Sequence, residues 1–181
     1  EIYPGDWSSD VCSSDLGSFP LYLALFAPVT QAKSIFIADI VRYQHINGPF
    51  LFTVAGMIAA VVFFIGYMII LNEYPFSIIK AKCDVIEGPY MEYASKYRAV
   101  VVLTRGFFMF TLGALFSVLF IGVPPNIFSF DIIINIIVTL IFVFMMGIFS
   151  AFTPVFTNRQ LLPTILGSTL LGILAIVLGL L

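Results

Sequence analysis

Charge is scarce in this sequence. Only 10% of its 181 residues are Asp, Glu, Lys or Arg, where soluble domains carry ~25%. Cysteine and histidine are scarcer still, with two and one. No Cys-x-x-Cys occurs, and His45 is far in sequence from both Cys12 and Cys83, so nothing has the spacing of a structural zinc site or an iron–sulfur cluster. A net charge of −2, without a basic run or a basic patch interleaved with aromatics, sets nucleic acid aside as a partner. Internal repeats, a Gly-rich phosphate loop, His-Glu-x-x-His and a nucleophile elbow are all missing. No catalytic residue and no metal ligand is therefore assigned. What remains is apolar: 61% of residues are hydrophobic and the mean hydropathy is +1.10. This is the composition of an all-α integral membrane protein, because backbone groups in lipid must be satisfied within helices or closed barrels and no strand-period alternation occurs.

Residues 1–17 contain the single Trp and are rich in Ser and Asp, with neither the basic stretch nor the apolar core of a signal peptide. Their centre, Asp-Trp-Ser-Ser-Asp-Val-Cys-Ser-Ser-Asp-Leu, resembles a translated sequencing adapter, and the segment is expected to be non-native. The first methionine is Met57, and truncation at the N-terminus is expected. Residues 18–181 are expected to form one membrane domain.

Within it, residues 19–29 are apolar but too few to cross a bilayer, which takes ~20 residues as a helix. They read as the end of a truncated span, with Pro20 and Pro28 leaving a re-entrant piece open. Residues 35–46 have the apolar spacing of a short amphipathic helix on the membrane surface. Four full spans follow, at 49–71, 99–121, 132–152 and 161–181. Pro124 and Pro125 make a turn before the third, and Asp131 is placed to cap it. Small residues four apart, Gly56 with Ala60 and Gly147 with Ala151, suit close helix contact. Loops on one side collect Lys80, Lys82, Lys96, Arg98 and Arg159, and the other side has Lys33 and Arg42. By the positive-inside rule the first side is cytoplasmic.

Eight of the 18 charged residues lie within residues 72–99, a polar island between apolar runs. Pro75 opens a bend, Ser77 can cap, and residues 78–87 have room for almost three helical turns before Gly88 and Pro89 stop them. Lys80, Asp84 and Glu87 share one face of that helix; Ile78, Ala81, Val85 and Ile86 share another. The bland reading is a solvated cytoplasmic loop. His45 reads as a surface residue, Cys83 as a small packed residue, and Met68, Met109, Met145 and Met146 as packing.

From Glu73 through Pro75-Phe76, Ala81, Asp84-Val85 and Gly88 to Glu92-Tyr93, the island resembles the cytoplasmic loop of the H-subunit family of NADH-quinone oxidoreductase (the NADH dehydrogenase subunit 1 family). That loop is shared with the membrane-anchor subunit of energy-converting, group 4, nickel-iron hydrogenases. Glu87-Gly88-Pro89 is closer to the hydrogenase branch. The stretch from Ile40-Val41 to Gln44 and Asn158-Arg159-Gln160 are also similar. The resemblance covers roughly 19–181, the C-terminal part of that fold. It departs where Ser77 replaces an Asp, Lys80 and Lys82 replace paired carboxylates, and Arg105 stands near a position that often holds Glu.

The resemblance implies a non-catalytic membrane subunit of an oxidoreductase complex in a prokaryotic cell membrane. It would dock the hydrogenase large and small iron–sulfur subunits and sit beside other membrane subunits, helping couple electron transfer to proton or sodium movement. The nickel-iron centre and iron–sulfur clusters would belong to the partners. Alternatives are the quinone-linked H-subunit, with its loop bordering a quinone site, and an unrelated transporter or structural anchor. The candidates for proton or charge coupling are Glu73, foremost because it ends its span, then Glu92, Asp84 and Glu87, with Lys80, Lys82 and Arg105 as balancing cations. The docking loop adds Pro75, Phe76, Gly88, Tyr93 and Arg98, with Arg159 on the same side. Arg105 lies six residues, about 9 Å of helix, inside its span, so it can snorkel to the surface.

Overall fold

A computed structural model describes residues 5–71, 73, 75–76, 95–123, 130–154 and 158–180. Among the described residues every regular element is helical: α1 Gly5–Ala32, α2 Ile37–Asn47, a 3₁₀ turn Phe50–Phe52, α3 Val54–Ile70, α4 Ser95–Phe116, α5 Asp131–Phe152 and α6 Asn158–Leu180. A π-helical turn, Ser117–Ile121, continues α4.

Three stretches are long and apolar enough to cross a membrane, namely Ala99–Ile121, Asp131–Phe152 and Leu162–Leu180. These match the expected second, third and fourth spans. Their outward surfaces are apolar, with Phe107, Phe144 and Leu170 among the exposed side chains, as a lipid-facing surface requires. The first expected span, 49–71, is not one helix. Pro49 and Thr53 have extended backbone, and Thr53 caps α3 by accepting from the Gly56 amide at 3.0 Å. The result is a 17-residue helix, about 25 Å long. It is packed against α1 and α6, with nine of its residues buried.

The N-terminal region is helical as well. Residues 19–29 belong to α1, which carries Pro20 and Pro28 inside it, both fully buried. The segments Ser18–Ala32 and Ile37–Asn47 are bent by 64°, the geometry of a broken span or a re-entrant loop. Lys33 stands at φ 51° in the connection. The expected amphipathic helix is α2, with Ile40, Val41 and Gln44 buried on its inner face. Asp131 is not a cap. It is the first residue of α5, behind a Phe130 N-cap that makes no side-chain bond, and its charge faces the positive end of the helix dipole.

Small residues set the seams, but not the expected pairs. At Gly147 an added Cβ would meet nothing within 4 Å, and at Gly56 it would strike the Phe50 carbonyl of the preceding 3₁₀ turn. The close approaches are at Gly66, against Leu21 of α1, and Gly172, against Leu23. The core is aromatic. Phe63 has ring centroids 5.3 Å from Phe116, 5.7 Å from Phe120 and 6.1 Å from Phe142, and Phe116 stacks on Phe142 at 4.5 Å.

The π turn is held from α2. The buried Gln44 side chain donates from Nε2 to the Leu119 carbonyl, while its Oε1 has no hydrogen-bond partner and lies against Gly122. A Cβ on Gly122 would sit 2.4 Å from that oxygen, and the residue has φ +80°. Gly122→Ala therefore meets both a left-handed backbone and a collision, and is expected to cost about 2–4 kcal/mol. The measurement is the thermal unfolding midpoint in detergent.

Candidate functional site

The site lies where α3 ends. Pro75 cannot continue a helix, and the chain turns tightly: the Leu71 amide donates to the Tyr67 carbonyl at 3.1 Å, Glu73 to that of Met68 at 3.1 Å and Phe76 to that of Glu73 at 2.8 Å. Pro75 and Phe76 are buried beneath this turn, which fixes Glu73 at its lip.

A helix end leaves its last carbonyls without intrahelical donors, and in a membrane domain few waters can supply them. Arg105 on α4 supplies one. Its Nη2 donates to the Leu71 carbonyl at 2.6 Å, and the same nitrogen forms an ion pair with Glu73 Oε1. One turn deeper, the Tyr67 hydroxyl donates to the Met109 carbonyl at 3.1 Å. Tyr67 on α3 and its C-cap Leu71 are four residues apart, as are Arg105 and Met109 on α4, so the two contacts form successive rungs between the helices. A cation at a helix C-terminus also opposes the negative end of the dipole. The Glu73 side chain is 17% exposed and that of Arg105 37%, so the pair is partly enclosed between the two helices.

Of the sequence-derived candidates, Glu73 and Arg105 are brought together, and Pro75 and Phe76 form the packed base under them. Arg98 lies in α4 and Arg159 in the first turn of α6. Lys80, Lys82, Asp84, Glu87, Gly88, Glu92 and Tyr93, with the helix expected over 78–87, lie outside the described residues. His45 is exposed on α2. Among the described residues no three His, Cys, Asp or Glu side chains gather as metal ligands. Tyr67 is a polar residue that reading the sequence does not pick out, and Gln44 enters that reading only within a resembling stretch. The signal available is a polar group inside an apolar run or on an apolar helix face, where each must find a partner.

Comparison with known proteins gives this geometry its family. The profile of the NADH dehydrogenase family matches residues 17–180. An uncharacterised protein of Methanocaldococcus jannaschii is 43% identical over 167 residues, which cover 92% of this chain and 50% of that protein. The H-subunit of the NADH-quinone oxidoreductase of Geobacillus thermodenitrificans is 32% identical over 132 residues, covering 67% of this chain and 39% of that protein. The chain thus spans about half the length, or less, of these relatives. Among solved structures, a chain of the membrane-bound sulfane sulfur reductase, an archaeal respiratory membrane complex, superposes with a TM-score of 0.83 at 20% identity, covering 99% of this chain and 61% of that one. At that identity the likeness speaks for the fold. The chain is an all-helical membrane protein that belongs to the NADH dehydrogenase family and is related to the H-subunit of NADH-quinone oxidoreductases.

Proposed function

We propose that this chain is a membrane subunit of a redox-driven ion-translocating complex, in which the 72–98 segment faces the cytoplasm and docks a peripheral nickel-iron hydrogenase module. The observation that carries the reading is the Glu73–Arg105 pair. Ionisable groups at membrane depth are costly and mark ion pathways, and this pair joins two helices at the mouth of the domain in a chain related to the H-subunit. With two cysteines and one histidine in all, the chain has too few donors for a cluster. The nickel-iron centre and iron–sulfur clusters are therefore assigned to the partner large and small subunits, beside further membrane subunits.

A second reading, the quinone-linked H-subunit with this region bordering a quinone, is favoured by the 32% identity to such a subunit. Purification of a full-length version decides between them by what accompanies it. Hydrogen evolution from reduced ferredoxin supports the first reading, and a quinone requirement for electron transfer the second. Replacing Asp84, Glu87 and Glu92 together by their amides is expected to release the redox subunits. Full retention would overturn docking through this loop, and solute flux by the isolated chain would favour a transporter instead.

A further inference from the structure

The helices fall into two groups that touch in different ways. α1, α3 and α6 pack on one another, with close approaches where Gly66 lies against Leu21 and Gly172 against Leu23 and Val62. α4 and α5 form the other group, seamed where Gly113 lies against Thr139. Among the described residues the backbone of α3 comes close to those of α4 and α5 at few points, and rings fill the space between. Phe63, Phe64 and Tyr67 of α3 face Phe116 of α4, Phe120 of the π turn and Phe142 and Phe149 of α5, with centroids 5.1–6.1 Å apart.

The two ends of this aromatic layer differ. At one end the π turn lies against α2 and the 3₁₀ turn: Gln44 donates to the Leu119 carbonyl, Gly122 abuts the Gln44 side chain, and Phe50 meets Phe120 at 5.7 Å. At the other end the described contacts are long side chains reaching across, Arg105 to Leu71 and Glu73 and Tyr67 to Met109. We propose that α4 and α5 swing as one body about the π turn, with the Tyr67 hydroxyl and the Arg105 guanidinium as the catch at the far end.

A π turn interrupts the regular i→i−4 ladder and is a recognised place for a helix to bend. Ring contacts adjust by side-chain rotation, whereas the glycine seams inside each group are set by backbone, so the layer between the groups yields first. α4 is 22 residues long, about 33 Å. A rotation of about 10° at the π turn therefore carries its Ser95 end about 6 Å and Arg105 about 3 Å, enough to break the contacts of the catch. The polar island joins α3 to α4 through the chain itself, so the swing changes the separation of its two ends. The inference goes beyond the proposed function and holds whichever partner the island docks.

The test uses the full-length chain in its complex, in lipid nanodiscs, with spin labels on cysteines introduced at exposed positions in an otherwise cysteine-free background. Tyr22→Cys with Leu103→Cys reports the catch end, and Val54→Cys with Ile133→Cys the π-turn end; all four side chains are exposed. Pulsed dipolar spectroscopy is expected to give two distances at the catch end, differing by about 4 Å, and one at the π-turn end. Tyr67→Phe keeps the ring in the layer and removes the hydroxyl, and is expected to raise the ratio of the open to the closed distance about threefold, the usual worth of one hydrogen bond between membrane helices.

A single distance at the catch end in both proteins, a ratio unmoved by Tyr67→Phe, or equal broadening at both ends would each overturn the proposal. Should the Tyr22→Cys pair fail to assemble, Leu162→Cys, at an exposed position of α6, takes its place with the same expectations.

Discussion

Gly66→Val is expected to force α1 away from α3 and to be among the most destabilising single changes in the chain. A Cβ at residue 66 would stand 2.8 Å from the Leu21 amide nitrogen and 3.0 Å from its Cα. Those atoms are backbone and cannot rotate aside. Leu21 is itself buried, and Ala24, Ala27, Ala55 and Ala59 are buried too. Small residues let backbones approach, and in lipid such contact is what holds helices together, since the tails are as apolar as the side chains. The collision therefore opens a long contact rather than one point. The expected loss is about 3 kcal/mol or more, read as the fall in the thermal unfolding midpoint in detergent, with Gly66→Ala in the same direction but smaller. Gly147→Ala is the control: with nothing within 4 Å of its added Cβ it is expected to be neutral or slightly stabilising. Gly66→Val within about 0.5 kcal/mol of wild type, the scatter of ordinary surface changes, would mean that α1 stands off α3.

Phe63→Ala is expected to cost about 3 kcal/mol, the lower end of the range for buried phenylalanines. The lower end applies because part of that range is transfer from water, which counts for less where the surroundings are lipid. What is lost is contact. Phe63 is fully buried and meets Tyr67, Phe116, Phe120 and Phe142, so it joins α3 to α4, the π turn and α5 at once. Tilted and stacked aromatic pairs add about 0.5–1.5 kcal/mol each beyond area. Phe63→Leu, which keeps most of the apolar volume, is expected to lose roughly half as much. The same unfolding measurement checks both, and a Phe63→Ala protein as stable as wild type would mean that the aromatic cluster contributes nothing to helix association.

Much of the fold is legible in the sequence alone. The spans at 99–121, 132–152 and 161–181 follow from runs of apolar residues long enough for a bilayer, and their helices lie at Ala99–Ile121, Asp131–Phe152 and Leu162–Leu180. The run at 49–71 misleads because hydropathy is blind to backbone direction. Pro49 and Thr53 are apolar enough to extend the run, yet they flank a 3₁₀ turn and Thr53 caps the helix that follows. Pro20 and Pro28 similarly suggest breaks, but both lie inside α1, whose tight contacts with α3 and α6 outweigh the missing hydrogen bonds.

The candidate site is half legible. Glu73 can be singled out as the charge that ends its span, and Pro75 and Phe76 as the turn beneath it. Arg105 can be found as an isolated charge inside another span and, through the resemblance, as a balancing cation, but snorkelling to the surface is a sufficient account of it. Nothing in the spacing of residues 73 and 105 says that they meet, since pairing depends on how α3 and α4 pack. Gln44 is visible only as part of a resemblance, and its bond to the π turn spans 75 residues of sequence.

By itself, the sequence determined that this is a helical membrane protein, where most of its helices run and which segment concentrates its charge. Those are consequences of composition and local periodicity, which the bilayer reads directly. Only the tertiary structure decided which small residues seat the seams, which polar groups inside the spans are satisfied, and that the acid at the end of one helix is held by the arginine of the next. Those outcomes depend on distances between residues remote in sequence, and local chemistry does not encode them.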